Sequence, residues 1–242
     1  MKTYIIFYVL LLLIPTTLAQ GRGNGNRKAN RSKKSKGIGN QKNQNNKDEN
    51  SAPVAESSSP SKIESGSQFC SQSFPQLAIA DGSQNKAGDC SSTVQGAIPS
   101  INNMVSTLIV EPKSGAKIDA KSTITVKILI SNLITGFFSN AQTEYYTLPQ
   151  QLDSNGIIQG HQHITVQDLG DSTRPLDASK FDFFKGLNEK GDGSLSVDIP
   201  AGTLSSGKSY RICSITGSFS HQPVIMPVAQ RGSQDDCIRV DT

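Results

Sequence analysis

Ile124-Thr125-Val126-Lys127-Ile128-Leu129-Ile130 places an apolar residue at every second position, and that period decides the fold class. Side chains on a strand point alternately to opposite faces, so Ile124, Val126, Ile128 and Ile130 share one face while Thr125 and Lys127 point away. The stretch is therefore expected to be a half-buried strand. Thr107 to Glu111 precedes it as a second strand, with Pro112-Lys113-Ser114-Gly115 as the turn between them.

The same pattern continues downstream. Asn155-Gly156 is a strong turn signal, and beyond it Ile164 and Val166 alternate with His161, His163 and Thr165. Leu195-Val197-Ile199, Ser209 to Ile215, Pro223 to Val228 and Cys237 to Val240 complete the expected strands. One helix is expected after Asp177, a capping residue, because Phe181, Phe184 and Leu187 recur at helical spacing before Gly191. Short strands with regular turns indicate an all-β domain, an antiparallel immunoglobulin/fibronectin-like β-sandwich with one short helix. Leu204-Ser205-Ser206-Gly207-Lys208-Ser209-Tyr210 fits the corner of such sandwiches, where a buried Tyr hydroxyl bonds back to the local chain.

Cys70, Cys90, Cys213 and Cys237 are an even set inside this domain, taken as residues 68–242. Disulfides are the expected state in an exported chain. Of three possible pairings, Cys70–Cys90 with Cys213–Cys237 is favoured, because each closes a modest loop and ties down one end of the domain. Without a Cys-x-x-Cys pair, thiol-bound metal is not expected.

Ahead of the domain the composition changes sharply. Between Gly21 and Lys47 stand nine Lys/Arg and no acid, set in Asn, Gly, Gln and Ser; from Asn50 onward fourteen Lys/Arg face eighteen Asp/Glu. The formal charge of +4 thus averages two opposite halves. Residues 20–67 carry almost nothing apolar to offset chain entropy, so a disordered arm is expected, basic first and then Ser/Pro-rich. Its expected partner is an anionic cell-wall polysaccharide or a host surface component. No aromatic residue interleaves the charges, so specific nucleic-acid recognition is not expected. Asn30-Arg31-Ser32 is the one glycosylation sequon, at Asn30.

Residues 1–19 read as a signal peptide: Lys2, the apolar run Ile5–Ile14, then Thr17-Leu18-Ala19 as a cleavage site. The run falls short of the ~20 residues that span a bilayer, and no later segment is long enough, so no membrane span is expected. The expected location is secreted, extracellular or cell wall.

Three histidines carry the candidate chemistry: His161 and His163 in one strand, and His221 in Ser220-His221-Gln222-Pro223. Positions i and i+2 of a strand share a face, about 6–7 Å apart, and Ile164 and Val166 occupy the other face. If His221 folds alongside, the three imidazoles suit Zn²⁺ or Cu²⁺ with an open position. The competing expectation is plain hydrogen bonding by polar strand residues. Gly202 to Ser209 fits the P-loop pattern but is rejected, since Tyr210-Arg211-Ile212-Cys213 reads as a strand where a phosphate cradle needs a helix N-terminus. No Gly-x-Ser-x-Gly or His-Glu-x-x-His occurs, and Asp235-Asp236 are expected to end a turn and offset Arg231 or Arg239.

Several segments resemble a poorly characterised family of secreted fungal proteins, some mislabelled as ribosomal protein and associated with appressorial penetration. They are Thr135-Gly136-Phe137-Phe138, Tyr145-Tyr146-Thr147-Leu148-Pro149-Gln150, Asn155 to His163, Phe183-Phe184-Lys185-Gly186-Leu187 and His221 to Cys237. The resemblance implies an exported, cell-surface or host-facing protein and brings no catalytic residues. The expected function is a secreted fungal surface or host-interface protein without a catalytic site, tethered by its basic arm. The alternative is a metal-binding protein or wall-polymer enzyme using His161, His163 and His221.

Overall fold

A computed structural model describes residues 66–171 and 173–242. The leader, the basic arm and Asn30 lie outside them. After a short helix α1 (Gly66–Ser73) the chain forms eight strands: β1 (Ser106–Glu111), β2 (Ile124–Ser131), β3 (Leu133–Ile134), β4 (Ile158–Asp168), β5 (Phe183–Leu187), β6 (Ser194–Ile199), β7 (Ser209–Ser218) and β8 (Cys237–Asp241). The all-β reading holds.

The strands make two sheets. One has the order β1-β2-β6; the other runs β3-β4-β7-β8, with β5 also paired to β4. Alternation in β2 buries Ile124, Val126, Ile128 and Ile130 and leaves Thr125 and Leu129 exposed. These side chains share one core with Ile164, Val166, Tyr210, Ile212, Ile238 and Val240 of the second sheet. Asn132, at φ 59°, carries the chain from β2 into β3 and thus from one sheet to the other. Its amide donates to the Asn102 and Met104 carbonyls, which holds a backbone turn that L-residues rarely adopt.

Both disulfides follow the favoured pairing, Cys70–Cys90 and Cys213–Cys237. The second joins facing residues of β7 and β8. Tyr210 is fully buried, and its hydroxyl accepts the Ser205 N–H at 2.8 Å, the local bond expected of that corner. The Gly202–Gly207 loop leads into strand β7, so no helix follows Lys208-Ser209.

Four expectations need correction. The segment expected as a helix after Asp177 is the edge strand β5. Phe181, Phe184 and Leu187 fit helical spacing, but Phe183 and Leu187 also fit period two, and the open edge of β4 selects the strand. Asp177 caps only a local turn, accepting from the Ser179 amide and hydroxyl. Pro223–Val228 is not a strand; one bridge, Gly217 to Pro223, is all it makes, since prolines lack the amide that a ladder needs. The sheet is not wholly antiparallel, because β3 pairs parallel to β4. Finally, Asp235 and Asp236 do not offset arginines. Asp235 Oδ1 accepts from Ser214 Oγ, Thr216 N and Thr216 Oγ1, and Asp236 Oδ2 accepts from Ile109 N. No helix among the described residues is long and apolar enough to cross a membrane.

Candidate metal centre

β4 and β7 run antiparallel with His161 opposite Gly217 and His163 opposite Ile215. His161 and His163 therefore stand on the outer face of the sheet, away from Ile164 and Val166. A tight turn after β7 returns His221 over that face. Ser218 N–H donates to Gln222 O at 2.8 Å and His221 N–H to Ser218 O at 3.0 Å. His221 adopts φ 74°, a conformation that costs a non-glycine residue free energy and recurs at functional sites.

Neighbouring loops lock this turn. Ser220 Oγ donates to Leu148 O at 2.8 Å, Gln222 Nε2 donates to the same carbonyl, and the Ser139 amide donates to Phe219 O at 2.8 Å. Tyr146 N–H donates to Ser220 O at 3.0 Å, and Tyr146 itself sits at φ 59°.

One potential ligand atom from each of the three imidazoles falls within 4.8 Å of the other two. Among the described residues this is the one such group of histidine, cysteine or carboxylate donors. The three residues singled out from the sequence thus meet. Ring centroids are 4.8 Å apart for His161–His163 and 4.7 Å for His161–His221.

The hydrogen bonds fix which nitrogens are free. His161 Nδ1 lies 3.0 Å from Phe137 O, and His221 Nε2 lies 2.9 Å from Ser139 O. A carbonyl only accepts, so each of those nitrogens carries the proton of its neutral ring. The remaining nitrogens, His161 Nε2 and His221 Nδ1, then both present lone pairs, and they face each other at 3.0 Å. Two neutral acceptors repel at that distance. A shared proton or a metal ion resolves the conflict. Two nitrogens bound to one ion at ~2.0–2.1 Å stand about 2.9–3.4 Å apart for angles of 90–109°; the separation of the pair falls in that range, with the ion off the line that joins them.

On His161 the proton is the poorer solution at neutral pH. Burial, then the charge of His163, push His161 down to about 4, with the Phe137 carbonyl opposing and His221 adding to the fall. Burial also lowers His163. Its Nδ1 is buried without a hydrogen bond of good geometry, although the Ile215 backbone lies near enough to oppose the shift. The three ligand atoms spread over as much as 4.8 Å, so the His163 ring must shift to share one ion with the other two.

Aromatic rings surround the trio. Phe184 of β5 stacks on His163 at 5.1 Å, and Tyr145 stacks on His221 at 5.8 Å. Burial and the neighbouring Tyr146 hydroxyl push the Tyr145 phenol up, so it stays neutral and is no anionic ligand. Gly217 leaves space beneath the histidines: a Cβ there would lie 3.2 Å from His161 Cε1 and Nε2. Sequence reasoning missed Gly217, the two carbonyls and the aromatic ring set. A glycine within an apolar strand was the one available signal.

No solved structure matches the chain. It is 45% identical over 163 residues to Pathogenicity cluster 5 protein d of Colletotrichum graminicola, which covers 66% of this chain and 34% of that protein. The chain thus spans about a third of the length of the curated relative it matches. Residues 107–242, which carry β1 to β8 and all three histidines, match the CLU5d N-terminal domain, and the chain belongs to that family.

Proposed function

We propose that this chain is an extracellular, virulence-related fungal protein whose β domain holds one transition-metal ion, Zn²⁺ or Cu²⁺, on His161, His163 and His221. One observation carries the metal: two imidazoles, each bonded through one nitrogen to a backbone carbonyl, bring their remaining nitrogens to 3.0 Å of each other, beside a third ring. Three neutral imidazoles suit either ion and leave a position open. The related pathogenicity-cluster protein supports the virulence setting. The leader and two disulfides support export. The Tyr210 bond to Ser205 supports reading the two sheets as an immunoglobulin/fibronectin-like sandwich.

The test is elemental analysis of secreted protein purified without chelators and then equilibrated with each ion. One ion per chain is expected, lost on His161→Ala or His221→Ala while both disulfides and the thermal transition persist. Protein that retains no ion after equilibration refutes the reading.

The arm supports a second reading, because the nine cations between Gly21 and Lys47, with no acid among them, suit an anionic wall polymer or host surface. Binding of the chain to wall material is expected to fall steeply with salt and to vanish when residues 20–67 are deleted. Equal binding by the deleted form would remove the tether.

A further inference from the structure

Two of the three histidines open onto a cleft of about 330 Å³, near the lower limit of the ~300–1,000 Å³ typical of ligand pockets. His163 and His221 line it, whereas His161 is fully buried behind them. An ion on the three rings therefore keeps its free position on the cleft side.

The rest of the wall is largely flat and apolar, built from Tyr145, Tyr146, Phe184, Ile215 and Pro223. Phe184 is 47% exposed while its ring stacks on His163, so one aromatic face is offered outward beside the ion. No charged side chain lines the cleft. The amide nitrogen of Gln84, its longest polar side chain, is already given to Ala141 O at 2.9 Å.

These properties select among ligands. A sugar carries hydroxyls on every edge, whereas the polar groups of this wall are partly committed already: Gln84 to Ala141, Thr216 to Asp235 and Tyr145 to Tyr146. Sugar hydroxyls also ionise poorly and make weak metal ligands. A phenol offers a flat apolar ring for stacking and a hydroxyl of pKa about 10, which a divalent cation lowers as it lowers that of bound water. We propose, resting on the metal reading above, that the cleft takes a phenolic ring of the catechol class, with its oxygen on the ion and its ring against Phe184. The occupant is a small molecule or a phenolic end group; no step of electron transfer is required for binding.

The full chain loaded with substoichiometric Zn²⁺ would be titrated with 4-nitrocatechol, whose visible band shifts when its oxygens bind a metal. Zinc retention would be checked after gel filtration, and cellobiose would be tried as competitor. A saturable shift at one ligand per zinc is expected, with no competition by cellobiose. Phe184→Ala is expected to weaken nitrocatechol about tenfold while zinc affinity stays within about twofold, the size of one lost aromatic contact. Retained zinc without a nitrocatechol shift overturns this proposal alone, as does equal affinity in Phe184→Ala. Competition by cellobiose overturns it in favour of a glycan. A chain that binds no zinc and no Cu²⁺ overturns it together with the metal reading.

Discussion

Gly217→Ala probes the centre without replacing a ligand. Gly217 lies in β7 opposite His161, outside the left-handed region, so alanine is not strained by its backbone. The added Cβ would stand 3.2 Å from His161 Cε1 and Nε2 and 3.7 Å from His221 Cα. Relaxed contacts of this kind fall at about 3.5–4.0 Å, so the imidazole must move by roughly 0.3–0.8 Å. Such a movement disturbs the 3.0 Å bond from His161 Nδ1 to Phe137 O, which sets the tautomer. Loss of an orienting partner of a ligand histidine typically costs ~10–100-fold in metal affinity. The fold should feel much less, because the group that gives way is one ring end and no ladder bond is lost. Competition against a chromophoric chelator reads affinity, and urea unfolding of the metal-free protein reads stability. Expected are a loss of at least about tenfold in affinity and a stability change below about 1 kcal/mol. Metal affinity within twofold of the parent would refute the geometry argued for the centre. A gross loss of stability would show that Gly217 serves packing instead.

Three further outcomes are expected. Tyr210→Phe removes the acceptor of the Ser205 N–H and should cost about 1 kcal/mol, lowering Tm by roughly 2–4 °C in a domain of this size; an unchanged Tm would deny the corner any role. Asp235→Ala strips three hydrogen bonds from Ser214 and Thr216 and should cost about 2–4 kcal/mol in urea unfolding, against a near-silent change if solvent already satisfies those groups. In the metal-free protein His161 is held at about 4 against an ordinary value near 6.5, so the unfolded chain takes up the proton first as pH falls. Its stability should be full above pH ~6.5 and fall by about 3 kcal/mol on the way to pH ~4, with the slope reduced in His161→Gln; identical urea midpoints at pH 7 and 5 would contradict this.

The sheet positions were the legible part of the sequence. In β2 each buried residue sits where period two puts it, because one face of that strand meets the core and the other meets water. β5 was misread for the opposite reason. It is an edge strand with Phe184 exposed, so its apolar residues do not report a single buried face. β3 pairs at only Leu133 and Ile134, too few residues for any period to show. The histidine pair was readable from its i, i+2 spacing on β4. That His221 joins it depends on the β4–β7 register and on a left-handed turn, neither of which is a local property of Ser220-His221-Gln222.

The centre also shows why chemistry outruns sequence here. A pair of adjoining histidines with no task would settle into one N–H···N bond, which needs one ring to donate toward the other. The Phe137 and Ser139 carbonyls oppose that while both rings are neutral, each from a loop that the strand pattern does not describe. Holding both carbonyls in place takes further structure: the Ser139–Phe219 bond, the Ser220 and Gln222 contacts to Leu148, and a non-glycine residue at φ 74°. Each element opposes the relaxed arrangement of the two neutral rings, and on the metal reading proposed above each would favour a cation bound to both nitrogens off the line between them. Preorganisation against an internal hydrogen bond is what a ligand set needs, since a ring bonded to its neighbour must be freed before it can bind metal. The strain in the turn and the conflict between the rings therefore share one explanation, which an accidental cluster of three histidines would not supply.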